Sequence, residues 1–248
     1  MIILKSEQEI AIMREANRIL AQLFEYIRPM VQPGITTLEL DREAELFIHS
    51  RGAKPSFKGY QGFPAALCTS VNDEVIHGIP GPRVLQEGDI VSVDVGALLD
   101  GFHSDAARTF PVGAISPQAR RLIEITEKAL DAGISQAVPG NHLSDISAAV
   151  QKTAEAGGFS VVRDFVGHGI GRSLHEDPQI PNFGRKGRGP VLKEGMTIAI
   201  EPMVNAGTHE VTILRDGWTA VTADSSLSAH FENSVAITRN GPVILSAP

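Results

Sequence analysis

Leu85-Gln-Glu-Gly88-Asp-Ile-Val-Ser-Val-Asp94 returns 107 residues later as Leu192-Lys-Glu-Gly195-Met-Thr-Ile-Ala-Ile-Glu201. Each copy reads as a Leu-x-Glu-Gly turn running into a β-branched strand that ends on a carboxylate. The echo extends upstream. Pro33-Gly34 and Pro139-Gly140 lie 106 residues apart, and so do the helix-ending Gly52 and Gly158. Ser6 and Glu9 form a capping box for a helix carrying Ile10, Met13, Leu20, Leu23, Phe24 and Ile27. Thr36 with Glu39 opens a second helix carrying Leu40, Ala44, Phe47 and Ile48. In the later copy, Ser116-Pro117 starts a helix carrying Leu122, Ile125, Ala129, Leu130 and Ile134. The same order twice over predicts two related α/β halves, about 6–112 and 116–240, packed as a single domain across residues 1–248.

Strands are expected at Leu67–Val71 and in an antiparallel pair, Asp89–Val95 and Phe102–Val112, joined through Asp100-Gly101. That pairing is expected to set Asp105 across from Asp94. A late strand, Ser228–Thr238, carries Glu232 as the counterpart of Asp105. The repeat gives these acids a meaning they lack singly. A lone acid at a strand end is usually a solvated turn residue, but related halves bring Asp94 and Glu201 toward their common axis. Converging buried carboxylates repel, and each desolvated charge costs several kcal/mol unless it is paired or bound to metal. No Lys or Arg occurs in 89–107 or 194–214, so a divalent cation is the more economical partner. His168, between Gly167 and Gly169, completes an oxygen-rich donor set suited to a pair of ions such as Mn, Fe, Co or Zn. Taken alone, His77 and His175 in their Gly/Pro-bounded loops are more often structural; hydrolysis would give them work as hydrogen-bond donors.

Composition narrows the class. The chain has 248 residues, 42% apolar and 21% charged, with a formal charge of −7, which fits a soluble globular protein and speaks against nucleic acid as substrate. One cysteine, Cys68, excludes an internal disulfide, and its apolar strand marks it as a packing residue. The start lacks a basic n-region followed by an apolar stretch, and no 18-residue apolar run occurs, so no membrane span and a cytoplasmic location are expected. Gly167-x-Gly169-x-Gly171 is not a dinucleotide fingerprint, and the chain has no G-x-S-x-G elbow, H-E-x-x-H pair or Walker loop.

The set Asp94, Asp105, His168, Glu201 and Glu232, with Gly167-His-Gly-Ile-Gly171, His175-Glu-Asp-Pro178 and Ile200-Glu-Pro-Met203, resembles the type I methionine aminopeptidases over essentially the whole chain. The resemblance implies an α+β duplicated pita-bread fold: a curved antiparallel sheet with helices on its outer face and a dinuclear metal site in its centre. It implies Asp94 on one metal, His168 and Glu201 on the other, and Asp105 and Glu232 bridging. Two divalent ions (Co, Mn, Fe or Zn) would activate a hydroxide against the first peptide bond, with Glu201 as proton acceptor. His175 would steady the oxyanion and His77 would contact the scissile amide nitrogen. Tyr60, Phe63, Cys68, Leu174 and Trp218 would hold the methionine side chain. The implied substrates are N-terminal methionyl peptides and nascent chains with a small second residue. A monomer with a transient ribosome contact is the implied setting. Phe63, Leu174 and Gly96 stand where tyrosine, phenylalanine and threonine are common in that family. The nearest rival is an Xaa-Pro aminopeptidase or prolidase of the same fold, which usually carries a separate N-terminal domain and tends to have glycine where Met203 stands.

Overall fold

The computed structural model describes residues 1–247. Helices α1 (Glu7–Ile27) and α2 (Thr37–Ser50) begin at Ser6 and Thr36, and in each the cap hydroxyl and the glutamate three residues on satisfy one another's backbone N–H groups. Strands β1 (Lys54–Pro55), β2 (Leu67–Val71) and β3 (Glu74–Ile76) follow, then a long hairpin of β4 (Ile90–Leu99) and β5 (Phe102–Pro111). Helices α3 (Pro117–Ser135) and α4 (Leu143–Ala156) open the second half. After them come β6 (Ser160–Val161), β7 (Gly167–Gly169), β8 (Glu176–Ile180), β9 (Thr197–Ile200) and β10 (Met203–Asn205). Strands β11 (Val211–Ile213), β12 (Ala220–Thr222), β13 (Ser228–His230), β14 (Glu232–Thr238) and β15 (Gly241–Ile244) complete the order.

The central sheet runs β1-β4-β5-β14-β9-β7-β8, with β2 also on β4 and β15 also on β14, and every pair in it is antiparallel. Period-2 alternation divides its faces. Val91, Val93, Val95 and Ala97 of β4 pack with Leu20, Leu23 and Phe24 of α1 and Leu40 and Ile48 of α2. Ile198 and Ile200 of β9 and Val235 and Ile237 of β14 pack with Leu130, Ile134 and Ile146 of α3 and α4. The helices therefore cover one face, and the alternate residues of the same strands line the other. This is the α+β curled sheet with outer helices that the resemblance implied.

The repeat has a hydrogen-bonded counterpart. Gly34 N–H donates to Leu85 O (2.9 Å) and Gly140 N–H to Leu192 O (3.0 Å), while Leu85 N–H meets Ile35 O and Leu192 N–H meets Asn141 O, both at 2.8 Å. Isolated bridges repeat too, Thr36 with Val84 and His142 with Val191. Gly88 and Gly195 both take left-handed φ, 93° and 88°, the backbone turn that launches β4 and β9.

Three expectations need correction. Asp105 lies across from Gly96, and Asp94 across from Ala107. The two-residue turn sets this register: Asp100 and Gly101 both have positive φ (49° and 80°), so Leu99 pairs Phe102 and the count follows. Asp94 is also mid-strand, whereas Glu201 falls one residue beyond β9. Pro202 has no N–H to continue that ladder. Finally, 228–238 is two strands. The chain leaves the ladder at Phe231, β13 pairing with β10 (His230 opposite Met203) and β14 entering the central sheet.

Candidate metal centre

The sheet register assembles the centre. Cys68, Asp94, Ala107 and Glu232 stand in one row across β2, β4, β5 and β14, because Cys68 pairs Asp94, Asp94 pairs Ala107 and Ala107 pairs Glu232. Asn233 pairs Ile200, so Glu201 continues that row beyond Glu232. Two residues along each strand lies a parallel row with Gly96, Asp105, Ser234, Ala199 and His168. At Asp105 the backbones of β5 and β14 part, and Ser234 Oγ bridges them, accepting from Asp105 N–H (3.2 Å) and donating to Asp105 O (2.8 Å). Adjacent rows on one face bring the five ligand candidates together. Asp94, Asp105, His168, Glu201 and Glu232 are all 2–7% exposed.

His168 Nε2 lies 3.5 Å from Glu201 Oε1 and 3.8 Å from Asp105 Oδ2. His168 Nδ1 faces Gly169 O at 2.9 Å, so Nδ1 carries the proton and Nε2 presents its lone pair to the centre. Ligand atoms of Asp105, His168 and Glu232 fall within 4.8 Å of one another. Among the described residues, Asp94 Oδ1, Asp105 Oδ1 and Glu232 Oε1 are buried without a hydrogen-bond partner. Orphaned carboxylate oxygens converging beside an imidazole lone pair are the donor set of a hard divalent cation.

The protonation energetics agree. Burial pushes Asp94 up to about 7, with the neighbouring Asp105 carboxyl pulling the other way. Burial likewise raises Asp105, reinforced by the charges of Glu232 and Asp94. Glu201 rises through burial and then Asp105 and Asp94, and Glu232 through burial and then Glu201 and Asp94. Among the described residues, no Lys or Arg lines the cavity. Arg108, paired with Val93 and so on the helix side of the sheet, donates to the backbone oxygens of Ala107 and Glu232 and to Asn233 Oδ1 but not to the Glu232 carboxylate, which its charge only partly relieves. Four mutually repelling carboxylates cannot all ionise without cationic charge among them.

The cavity above these rows has a volume of about 150 Å³, room for one side chain. Tyr60, Phe63, Cys68, Leu174 and Trp218 all line it, as do His77 and His175. Phe63 meets Trp218 edge-on, with ring centroids 5.1 Å apart. Burial, and then the charge of Asp94 directly opposite, raises the Cys68 thiol, so it remains a neutral apolar wall. His175 Nδ1 is 2.8 Å from Tyr60 Oη, and its ring centroid is 4.3 Å from that of His168. Burial lowers His175, and burial with the nearby His175 charge drives His77 to about 4. His77 also adopts a left-handed φ of 61°, uncommon for a residue with a Cβ, next to a Gly78 whose Cβ would fall 2.1 Å from Thr69 O.

Sequence reading did not single out Phe57, Gln61 and Ile76 of the lining, nor His230 and Asn182 behind Glu201. Asn182 Nδ2 donates to Glu201 O at 3.0 Å, and His230 Nε2 is 3.8 Å from Glu201 Oε2. His230 shares strand parity with Glu232, a signal available in Ser228-Ala-His-Phe-Glu232; Asn182 and Gln61 sit in irregular segments with no such signal.

A curled antiparallel sheet whose concave face gathers orphaned carboxylates and one imidazole beneath a single-residue cavity defines a metal-dependent peptidase. The profile of Metallopeptidase family M24 matches residues 11–239. The chain belongs to that family, and within it to the methionine aminopeptidases. It is 62% identical over 246 residues to the methionine aminopeptidase of Clostridium perfringens, covering 99% of both chains. The crystal structure of methionine aminopeptidase from Rickettsia prowazekii superposes with a TM-score of 0.98 at 43% identity, covering 99% of this chain and 100% of that one. Prolidase from Pyrococcus furiosus is more distant: TM-score 0.81, 25% identity, and 66% of its chain covered by 99% of this one. Among the described residues, no helix is long and apolar enough to cross a membrane.

Proposed function

We propose that the chain removes the N-terminal methionine from nascent proteins and peptides, preferring a small second residue, and that residues 1–248 form one catalytic domain of two related halves. The observation that carries the reading is the cavity of about 150 Å³ beside the carboxylate rows, walled by Tyr60, Phe63, Cys68, Leu174 and Trp218, a size and lining that suit one methionine side chain. Asp94, Asp105, His168, Glu201 and Glu232 would hold two divalent ions, Co, Mn, Fe or Zn. Such ions polarise a carbonyl and make a hydroxide available near neutral pH.

The chain's own groups supply the rest. Tyr60, Phe63, Cys68, Leu174 and Trp218 seat the methionine side chain, excluding water from it. Glu201 accepts the proton released on attack and returns it to the leaving amine. Tyr60 O–H donates to His175 Nδ1, which leaves His175 Nε2–H to donate to the developing oxyanion. His77, held neutral by burial, contacts the scissile amide nitrogen, its unprotonated ring nitrogen accepting from that N–H. The setting is the cytoplasm, with the protein a monomer that meets nascent chains through a transient ribosome contact.

The test is release of methionine from Met-Ala-Ser, lost to chelator and regained with Mn, Co or Fe. Cleavage of Xaa-Pro peptides with no action on Met-Ala-Ser would overturn the reading in favour of the prolidase-like alternative. The prolidase likeness, at 25% identity, is more distant than the 62% identity to the Clostridium perfringens methionine aminopeptidase.

A further inference from the structure

On the concave face, Ser92 and Thr109 pair in the row next to Asp94 and Ala107, and their hydroxyls reach the backbone of His230 on β13. Thr109 Oγ1 donates to His230 O at 2.8 Å and accepts from His230 N–H at 3.0 Å. Ser92 Oγ lies 2.8 Å from Thr109 Oγ1 and also accepts from His230 N–H, at 3.2 Å. Two hydroxyls therefore clamp the backbone of His230 from β4 and β5, while Met203 pairs with it from β10. The residue is 1% exposed. Yet among the described residues neither ring nitrogen of His230 has a hydrogen-bond partner.

An unpaired buried polar group costs about 1–3 kcal/mol, so a framework this ordered around such a group points to a use for the ring. The ring faces Glu201. His230 Nε2 is 3.8 Å from Glu201 Oε2, and the other oxygen of the same carboxylate is 3.5 Å from His168 Nε2. Glu201 thus stands between two imidazoles, one at each oxygen, with its backbone oxygen fixed by Asn182. An ionised carboxylate only accepts, so the nitrogen facing it serves as the donor.

We propose that His230 is a positioning residue for Glu201: its Nε2–H donates to Oε2 and leaves Oε1 as the oxygen presented toward His168 and the substrate. A shortening of about 1 Å, within reach of side-chain torsions, brings the pair to ordinary N–H···O distance. The inference rests on the proposed roles of Glu201 as ligand and proton acceptor, and the two are separable by experiment.

In zinc-loaded protein labelled with ¹⁵N-histidine, His230 should be the Nε2–H tautomer, and its N–H resonance should shift in Glu201→Gln. His230→Leu should lower zinc affinity by calorimetry, and kcat on Met-Ala-Ser, each about 10-fold or more, as loss of a partner behind a ligand does. His230→Gln, which keeps an N–H donor, should restore most of both. An Nδ1–H tautomer, direct metal ligation by Nε2, or unchanged zinc affinity in His230→Leu would each overturn the proposal. Should His230→Leu not fold, the tautomer in the unaltered protein and the behaviour of His230→Gln decide. A near-normal rate in Glu201→Gln would remove Glu201 from proton transfer and leave the His230 tautomer as a separate result.

Discussion

Replacing Lys5 by methionine perturbs the centre from a distance. Lys5 Nζ pairs with the Glu176 carboxylate, and the two side chains are 3% and 7% exposed. The pair is built in from both ends: Lys5 N–H donates to Gly195 O at 2.7 Å, and Glu176 Oε1 accepts from Ser173 N–H at 3.2 Å. Glu176 follows His175 directly, and its backbone pairs with Gly169 beside His168. The Lys5 stem is also packed tightly there, since a Cβ on Gly171 would fall 2.4 Å from Lys5 Cε. Lys5→Met keeps much of the stem and strands the carboxylate, a loss of about 3–5 kcal/mol for a broken buried pair. Lys5→Met with Glu176→Gln removes both charges and should recover much of that loss, giving a coupling of about 2–3 kcal/mol. Urea unfolding of the four manganese-loaded proteins measures it. In the single variant, kcat on Met-Ala-Ser should fall about 10-fold or more with bound manganese unchanged, because a displacement of about 1 Å at a catalytic group costs up to about 100-fold. Additive stabilities, within about 0.5 kcal/mol, would refute the reasoning.

The carboxylate centre should make the chelator-treated protein sensitive to alkali. Folded pKa values above the unfolded ones give stability that is present below the unfolded range near 4 and is lost as pH rises through the folded values, about 7 for Asp94. The buried His168 and His230, lowered by burial to about 3, and His77 to about 4, act oppositely but only below their unfolded value near 6.5. Between pH 6.5 and 8, Tm should therefore fall without metal, and added manganese should raise it more at pH 8 than at pH 6.5; equal gains would contradict the assignment. Gly96→Thr should cost about 1–3 kcal/mol by overpacking, since its Cβ would fall 2.8 Å from Ser56 Cβ and 2.9 Å from both Phe57 Cε1 and Ser104 O. A melt as stable as the parent would show that Ser56 and Phe57 yield freely. Glu201→Gln should nearly abolish turnover, and a normal rate would remove it from the mechanism. His175→Ala should reduce kcat about 100- to 1,000-fold, with the metal content measured on the same sample unchanged; lost metal would make it a ligand instead.

Much of the centre was legible because repetition and strand period act at short range. The echo of Leu85–Asp94 in Leu192–Glu201 pointed to two acids that neither copy would have marked alone. The Asp100-Gly101 turn held further information: with both central residues at positive φ it sets Leu99 against Phe102, and counting back puts Ala107, not Asp105, opposite Asp94. That register is encoded by the Asp-Gly turn itself, since a two-residue loop fixes every pairing of the hairpin.

Gly96 shows the other side. Its identity says that a hydroxyl is missing near Asp94; only the packing shows Ser56 and Phe57 occupying the space beside it. The amino-acid sequence by itself determined the capped helices, the strand alternation, the duplicated order and the acids that share a face, because each depends on residues a few positions apart or on direct self-similarity. Only the tertiary structure decided that 228–238 splits at Phe231, that Lys5 anchors the loop carrying His175, and that His230 turns an unpartnered ring toward Glu201. Those outcomes depend on contacts across 24 to 171 residues of chain, on which strand edge is free and which cavity is closed. No local pattern carries that information.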